Sequence, residues 1–218
     1  MKVRHITNQN LTLSSQDTYN DYPIQTHCGA LAINYLERID KTLVYALLEH
    51  ARTFVIRVDL RLPANKINDK TNVISKFFDS LKAQIRADLL KKEKGGIRVH
   101  PCTLRYIWVK EKDTSINNHY HVLLLLNHDT YHTLGDFKAE EGNMAARIKK
   151  AWTSALNIDF GECVRLVYFP RNPTYSINAN SKDAPQDINS VIHRTSYFAK
   201  VKTKSYGDGK RSFGCSMN

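Results

Sequence analysis

Two histidines separated by one residue, His119 and His121, open the apolar run Val122–Leu126, and an acid, Glu111, stands shortly before them. Side chains two apart on a β-strand project from the same face, so both imidazoles can grip one ion. A carboxylate at the end of a preceding strand can add an oxygen. Two imidazoles and a carboxylate, with coordination positions left open, suit Mn²⁺, Mg²⁺ or Zn²⁺ acting as a Lewis acid on a phosphate or a carbonyl. The chain holds nine histidines, however, and a histidine beside a buried strand is ordinarily a hydrogen-bonded structural residue. The pair gains weight only from a second feature that needs such a metal.

That feature lies far downstream, between Asp187 and Lys204. Ile188, Val191, Ile192, Thr195, Phe198 and Ala199 recur at helical spacing, and Asp187 suits an N-cap or first turn. On such a helix Tyr197 stands opposite the apolar stripe, close to His193, Lys200 and Lys204. A phenol titrates near about 10, so attack at neutral pH needs a cation that favours phenolate or a metal that makes phosphorus more electrophilic. Lys200, one turn on, is placed to supply the positive charge. Taken alone, the same stretch reads as an amphipathic helix with an exposed tyrosine. His193 could orient the phenol, although a surface histidine is the simpler account.

Periodicity predicts the elements that must position these groups. Residues 1–29 are polar and aperiodic and read as an N-terminal arm. A helical stripe over 30–52 leads into a strand over 53–62, and a second amphipathic helix runs over 72–92 until Gly95-Gly96 ends it. Strands over 103–111 and 119–126 flank a turn-like segment, 112–118, which makes an antiparallel pair and brings Glu111 near the histidines. A helix over 143–156, a strand over 163–169, a loop with Pro170, Pro173 and Pro185, and the tyrosine helix complete a body spanning 30–204. Residues 205–218 form a basic tail. The pattern predicts an α+β domain with a single central antiparallel sheet covered by helices. Tyr120, between the two histidines, should face away from the metal.

The 32 Lys and Arg against 21 Asp and Glu give a net charge of +11 and a pI near 9.5, the footprint of a nucleic-acid binder. A membrane-surface or ribosomal protein could share that charge. No window approaches 18 apolar residues, and residues 1–30 lack a basic-then-apolar leader, so a soluble, intracellular protein without a membrane partner is expected. Cys28, Cys102, Cys163 and Cys215 form no CxxC pair and read as reduced thiols.

The order of Glu111, then His119-Tyr120-His121, then Tyr197-Phe-Ala-Lys200 resembles the rolling-circle replication initiators and relaxases of the His-hydrophobic-His (HUH) endonuclease superfamily. The resemblance runs from about Phe54 to Lys204, with Phe54–Pro63 similar to the first, strand-forming motif. More narrowly, Tyr106–Glu111, His119–Asn127 and the ending Arg211–Ser216 are similar to inovirus-type replication proteins that carry a YagK/YfjJ domain.

The resemblance implies an HUH-type palm, related to the RRM-like sheet. It implies His119, His121 and Glu111 as ligands of Mn²⁺ or Mg²⁺, Tyr197 as nucleophile and Lys200 as its charge partner. Attack on single-stranded origin DNA would leave a 5′-phosphotyrosine linkage and a free 3′-OH, starting rolling-circle replication of a phage or mobile element in the cytoplasm of a bacterial host. A chain of this length leaves no room for a helicase, so a host helicase and polymerase are expected partners. Arg194, Lys202, Lys204, Lys210 and Arg211 are candidates for contacting DNA phosphates. Trp108 and Trp152 could stack on bases but read first as core. Tyr206 is a rival nucleophile, poorly positioned between flexible glycines. Asp59 is a possible further ligand, with a solvent-facing strand position the simpler account. A non-catalytic nucleic-acid-binding regulator, or a relaxase or single-strand transposase, are the alternative readings.

Overall fold

The computed structural model describes residues 3–63, 72–112, 119–207 and 209–216, without the side chains of Cys163 and Val164. In chain order the elements are β1 (Val3–Arg4), β2 (Thr12–Ser14), β3 (Thr18–Tyr19), β4 (Tyr22–Pro23), β5 (Leu31–Ala32), α1 (Ile33–Glu49), β6 (Arg52–Arg61) and α2 (Val73–Lys94). They continue with β7 (Arg105–Glu111), β8 (His119–Asn127), α3 (Met144–Leu156), β9 (Val167–Tyr168), β10 (Thr174–Asn178), α4 (Ala184–Ser196) and β11 (Phe213–Cys215). Single 3₁₀ segments occupy Phe160–Arg165 and Tyr197–Ala199.

Six strands make the central antiparallel sheet in the order β10-β6-β8-β7-β11, with β9 also paired to β6. Its three middle strands are apolar over most of their length because both faces are covered. Phe54, Ile56, Val58 and Leu60 of β6, with Tyr120, Val122, Leu124 and Leu126 of β8, pack on α2 and α3. The alternate residues Val55, Leu123, Leu125, Ile107 and Val109 pack on α1 and α4. Trp152 is fully buried and anchors the first layer against Phe77 and Tyr120. The expected α+β architecture, with a central antiparallel sheet between helices, is the one observed, and β1-β2-β5 and β3-β4 form two small further sheets.

Local chemistry sets the helix ends. Asn143 caps α3 by accepting from the backbone N–H of Ala146 at 2.9 Å. Gly96, at φ +75°, takes the left-handed turn that stops α2. α4 starts at Ala184 with Pro185 in its first turn, where a missing N–H costs nothing. It therefore begins before Asp187, and it stops at Ser196 rather than running on to Lys204. Tyr197 caps its end and opens the 3₁₀ turn.

Four expectations differ from the fold. Of the segment expected as a strand over 163–169, residues 163–165 end a 3₁₀ segment and only Val167–Tyr168 are strand. The proline-containing loop instead holds β10, which borders β6 along Arg52–Ile56. Residues 3–29, expected as an arm, carry four short strands and place Leu11 and Ile24 in the interior. The expected tail supplies β11 to the sheet beside β7. Strands of two or three residues show no alternation long enough to read. The turn over 113–118 lies outside the described residues. Cys28, Cys102 and Cys215 are free thiols. No helix among the described residues is long and apolar enough to cross a membrane.

Candidate metal and tyrosine site

The register of the three middle strands assembles the site. Glu111 pairs directly with His119 across β7 and β8, and His121 pairs directly with Asp59 across β8 and β6. All four lie on the α1/α4 face, at the end of the sheet where those helices stop covering it. Tyr120 points to the opposite face and into the α2/α3 core, as expected.

One donor atom from each of Glu111, His119 and His121 lies within 4.8 Å of the others. The two Nε2 atoms are 3.2 Å apart, and His121 Nε2 is 3.4 Å from Glu111 Oε2. Donors held by one ion through bonds of about 2.1 Å stand roughly 3.0–3.4 Å apart in octahedral or tetrahedral geometry, so the His119–His121 and His121–Glu111 separations fit a shared cation. Protonation states fit as well. Burial, helped by the neighbouring His121, lowers the pKa of His119 and favours the neutral imidazole that a metal requires. Burial would raise the pKa of Glu111, but the hydrogen bond with His121 and the charge of Lys204 outweigh it, and the acid is held ionised far below the usual carboxylate range.

Asp59 does not face solvent. Its Oδ1 lies 2.8 Å from His121 Nδ1, and it is ion-paired with Arg57. Arg57 Nη2, which can only donate, lies 2.8 Å from the same Nδ1, so Asp59 and Arg57 compete for it. In the tautomer that gives the Nδ1 proton to Asp59, Nε2 turns a lone pair toward Glu111 and His119, which is how carboxylates orient metal-binding histidines. Arg57 is itself buried, donates to the Val58 carbonyl at 3.0 Å and sits over the Phe198 ring, 4.8 Å from its centroid. A signal for this pair was present: Arg57, Asp59 and Arg61 alternate on one face of an otherwise apolar strand.

Tyr197 comes from the 3₁₀ turn that follows α4, far along the chain. Its ring centroid is 5.6 Å from that of His121, and its phenol oxygen accepts a hydrogen bond from Lys200. Lys200 Nζ also lies 2.8 Å from Glu111 Oε2, so one ammonium links the nucleophile candidate to a metal-ligand candidate. Burial would lower the pKa of Lys200, but hydrogen bonds to Glu111 and Tyr197 reverse the balance and raise it. The N-terminal segment secures this turn: the Gln25 N–H donates to Ser196 Oγ at 2.9 Å, and Leu31 bridges Lys200 through the backbone.

The remaining candidates divide. Lys204 is buried, with its ammonium 3.1 Å from Glu111 Oε1, and burial lowers its pKa to about 8. This lysine, expected among the phosphate contacts, instead holds a buried carboxylate. Lys202, Lys210 and Arg211 are exposed, and Arg194 is half-buried with its guanidinium on the Arg171 carbonyl. His193 is exposed, and it is the His193 backbone carbonyl that accepts from Gln25 Nε2, at 2.8 Å. Tyr206 packs edge-on against His5, and burial beside Tyr35 raises its pKa, the reverse of what a nucleophile needs. Trp152 is core, and Trp108 packs half-buried on the same core, edge-on to Tyr120.

The family model of the YagK/YfjJ C-terminal domain matches residues 14–216. The chain belongs to that family. Among YagK/YfjJ relatives, "Uncharacterized protein YagK" of Escherichia coli (strain K12) is 37% identical over 203 residues, covering 88% of this chain and 96% of the relative. "Uncharacterized protein YfjJ" of the same organism is 34% identical over 193 residues, covering 84% and 93%. The YagK/YfjJ match takes in most of the N-terminal segment and β11, in keeping with their integration into the fold. No solved structure matches the chain.

Proposed function

We propose that this YagK/YfjJ-domain protein is a metal-dependent endonuclease and strand transferase that nicks single-stranded origin DNA through a covalent phosphotyrosine intermediate. In this reading it starts rolling-circle replication of an inovirus-type phage or mobile element, with a host helicase separating strands and a host polymerase extending the 3′ end. The observation that carries the reading is the meeting of Tyr197 with Glu111, His119 and His121 through Lys200. A structural pair of histidines has no need of a phenol and an ammonium from a distant helix end.

Glu111, His119 and His121 would hold Mn²⁺ or Mg²⁺, and the two imidazoles favour Mn²⁺ of the two. The ion, when bound, neutralises charge on the scissile phosphate. Tyr197 Oη forms a bond to phosphorus as the P–O3′ bond breaks, and the phenol proton ends on the departing 3′ oxygen. Lys200, hydrogen-bonded to the phenol oxygen, stabilises charge as it develops. The phosphotyrosyl bond conserves the phosphodiester energy, so attack by a 3′-OH rejoins strands without ATP.

The test mixes the protein with single-stranded DNA and Mn²⁺ or Mg²⁺ and seeks a covalent adduct on a denaturing gel. The parent protein and Tyr206→Phe should form it, and Tyr197→Phe should bind DNA without forming it. Peptide mapping that finds the linkage at any other residue refutes the nucleophile. Absence of an adduct on any single-stranded origin supports the non-catalytic regulator instead.

A further inference from the structure

The same face of the sheet carries a second feature beyond the metal ligands. Along β6 the residues on the α1/α4 face pass from fully covered at Thr53, Val55 and Arg57 to half-buried at Asp59 and exposed at Arg61. At this open end β9 pairs with β6, placing Val167 in the core opposite Leu60 and Tyr168 opposite Asp59. Directly opposed residues share a face, so Tyr168 stands beside the metal candidates with 49% of its surface exposed. Arg61, which pairs with His119 on its other side, holds its guanidinium 5.7 Å from the Tyr168 ring centroid.

The backbone beneath this pair is fixed. The Arg61 N–H donates to the Leu166 carbonyl at 2.8 Å, and the Arg61 carbonyl accepts from the buried Trp152 indole at 2.9 Å. An aromatic ring left half in water on a rigid strand, backed by an arginine, is the arrangement that stacks an unpaired base while the cation meets the adjoining phosphate. A base inside a duplex has both faces occupied and cannot use it. Tyr168 lies two strand spacings from His121, roughly 10 Å, on the side away from Lys200 and Glu111.

The geometry points to Tyr168 and Arg61 as a stacking platform for a nucleobase of single-stranded DNA flanking the phosphate held at the metal site. This rests on the proposed nuclease reading and adds to it where the strand leaves the site. The probe is a fluorophore-labelled single-stranded oligothymidylate, its binding followed by anisotropy without metal, in the full-length Tyr197→Phe protein. Adding Tyr168→Ala should weaken binding about ten-fold, within the range for loss of one base–aromatic stack. Adding Tyr168→Trp should restore it, and a backbone of abasic units should bind the Ala and Tyr forms equally. Equal binding of oligothymidylate by the Ala and Tyr forms overturns the platform, as does an equal loss on the abasic strand. The two readings fail separately. An adduct at Tyr197 with no effect of Tyr168→Ala removes the platform alone, whereas a stacking effect with no adduct from the Tyr197 protein leaves the platform and removes the nuclease.

Discussion

The carboxylate of Asp59 lies 2.8 Å from Nδ1 of His121, its direct partner in the β6–β8 register. A carboxylate there favours the Nδ1–H tautomer against the Arg57 guanidinium, 2.8 Å from the same nitrogen, and that tautomer is the one whose Nε2 can bind an ion. Asp59→Asn replaces that anion with a neutral amide and should lower Mn²⁺ affinity by about ten- to hundred-fold, read by isothermal titration calorimetry. The melting temperature should fall too, because Arg57 loses its buried partner, so the titration belongs well below the transition. Parent-level affinity would remove Asp59 from the metal assembly.

The C-terminal segment offers a sharper test of packing than of chemistry. A Cβ built on Gly214 in β11 would stand 2.5–2.7 Å from three atoms of the Trp108 indole. Gly214→Ala must therefore shift the indole or detach the strand, and a loss of about 1–3 kcal/mol is expected in urea unfolding. Gly207→Ala meets no neighbour within 4 Å and carries only the strain of a positive φ, so its cost should come from the backbone alone. A silent Gly214→Ala would mean that β11 is not seated on β7.

These two sites mark how far the sequence could be read. Long elements with many core residues, such as β6, β8 and α2, announce themselves because burial repeats over several turns or pleats. The triad was legible for the same reason: His119 and His121 sit on a strand whose period is plain, and a hairpin partner had to bring Glu111 alongside. β5, β9 and β11 are too short for any period, and their place depends on partners remote in the chain. Lys204 and Asp59 were misplaced by a single rule, that charged residues face water. That rule fails where opposite charges are buried together, and only the strand register and the turn after α4 show that Lys204 meets Glu111 and that Asp59 meets His121 and Arg57.

On the opposite layer, Asp88 of α2 accepts from the Tyr131 hydroxyl at 2.7 Å and pairs with Lys92 and Arg147. Burial pushes its pKa up, but the hydrogen bonds from Tyr131 and Lys92 and the charge of Arg147 outweigh this, and the net shift is downward. A carboxyl with a depressed folded pKa contributes stability above its unfolded pKa and loses it as pH falls through the folded one. At pH 7, Asp88→Asn should therefore be less stable than the parent by about 1–3 kcal/mol. The gap should close below about pH 4, where the unfolded carboxyl begins to protonate. Denaturant melts of both proteins across that range check it, and a pH-independent gap would assign the loss to packing alone. Mn²⁺ affinity should not change.

Lys200 separates metal binding from chemistry, because its ammonium contacts both Glu111 and the phenol of Tyr197. A fixed positive charge beside a carboxylate competes with a dication for that carboxylate and repels the dication directly. Removing the charge should therefore tighten the metal. In the proposed reaction the same charge would stabilise the anionic transition state, so its removal should slow strand cleavage. Lys200→Gln keeps a hydrogen-bond donor of similar reach and leaves Lys204 on Glu111, which limits collapse of the site. The expected outcome is a pair of opposite changes: several-fold higher Mn²⁺ affinity by calorimetry, and about 10²-fold slower adduct formation at saturating metal. If Lys200 merely props Glu111 in place, affinity and rate should fall together, and saturating metal should restore the rate. If neither changes, the contact with Tyr197 has no part in the reaction.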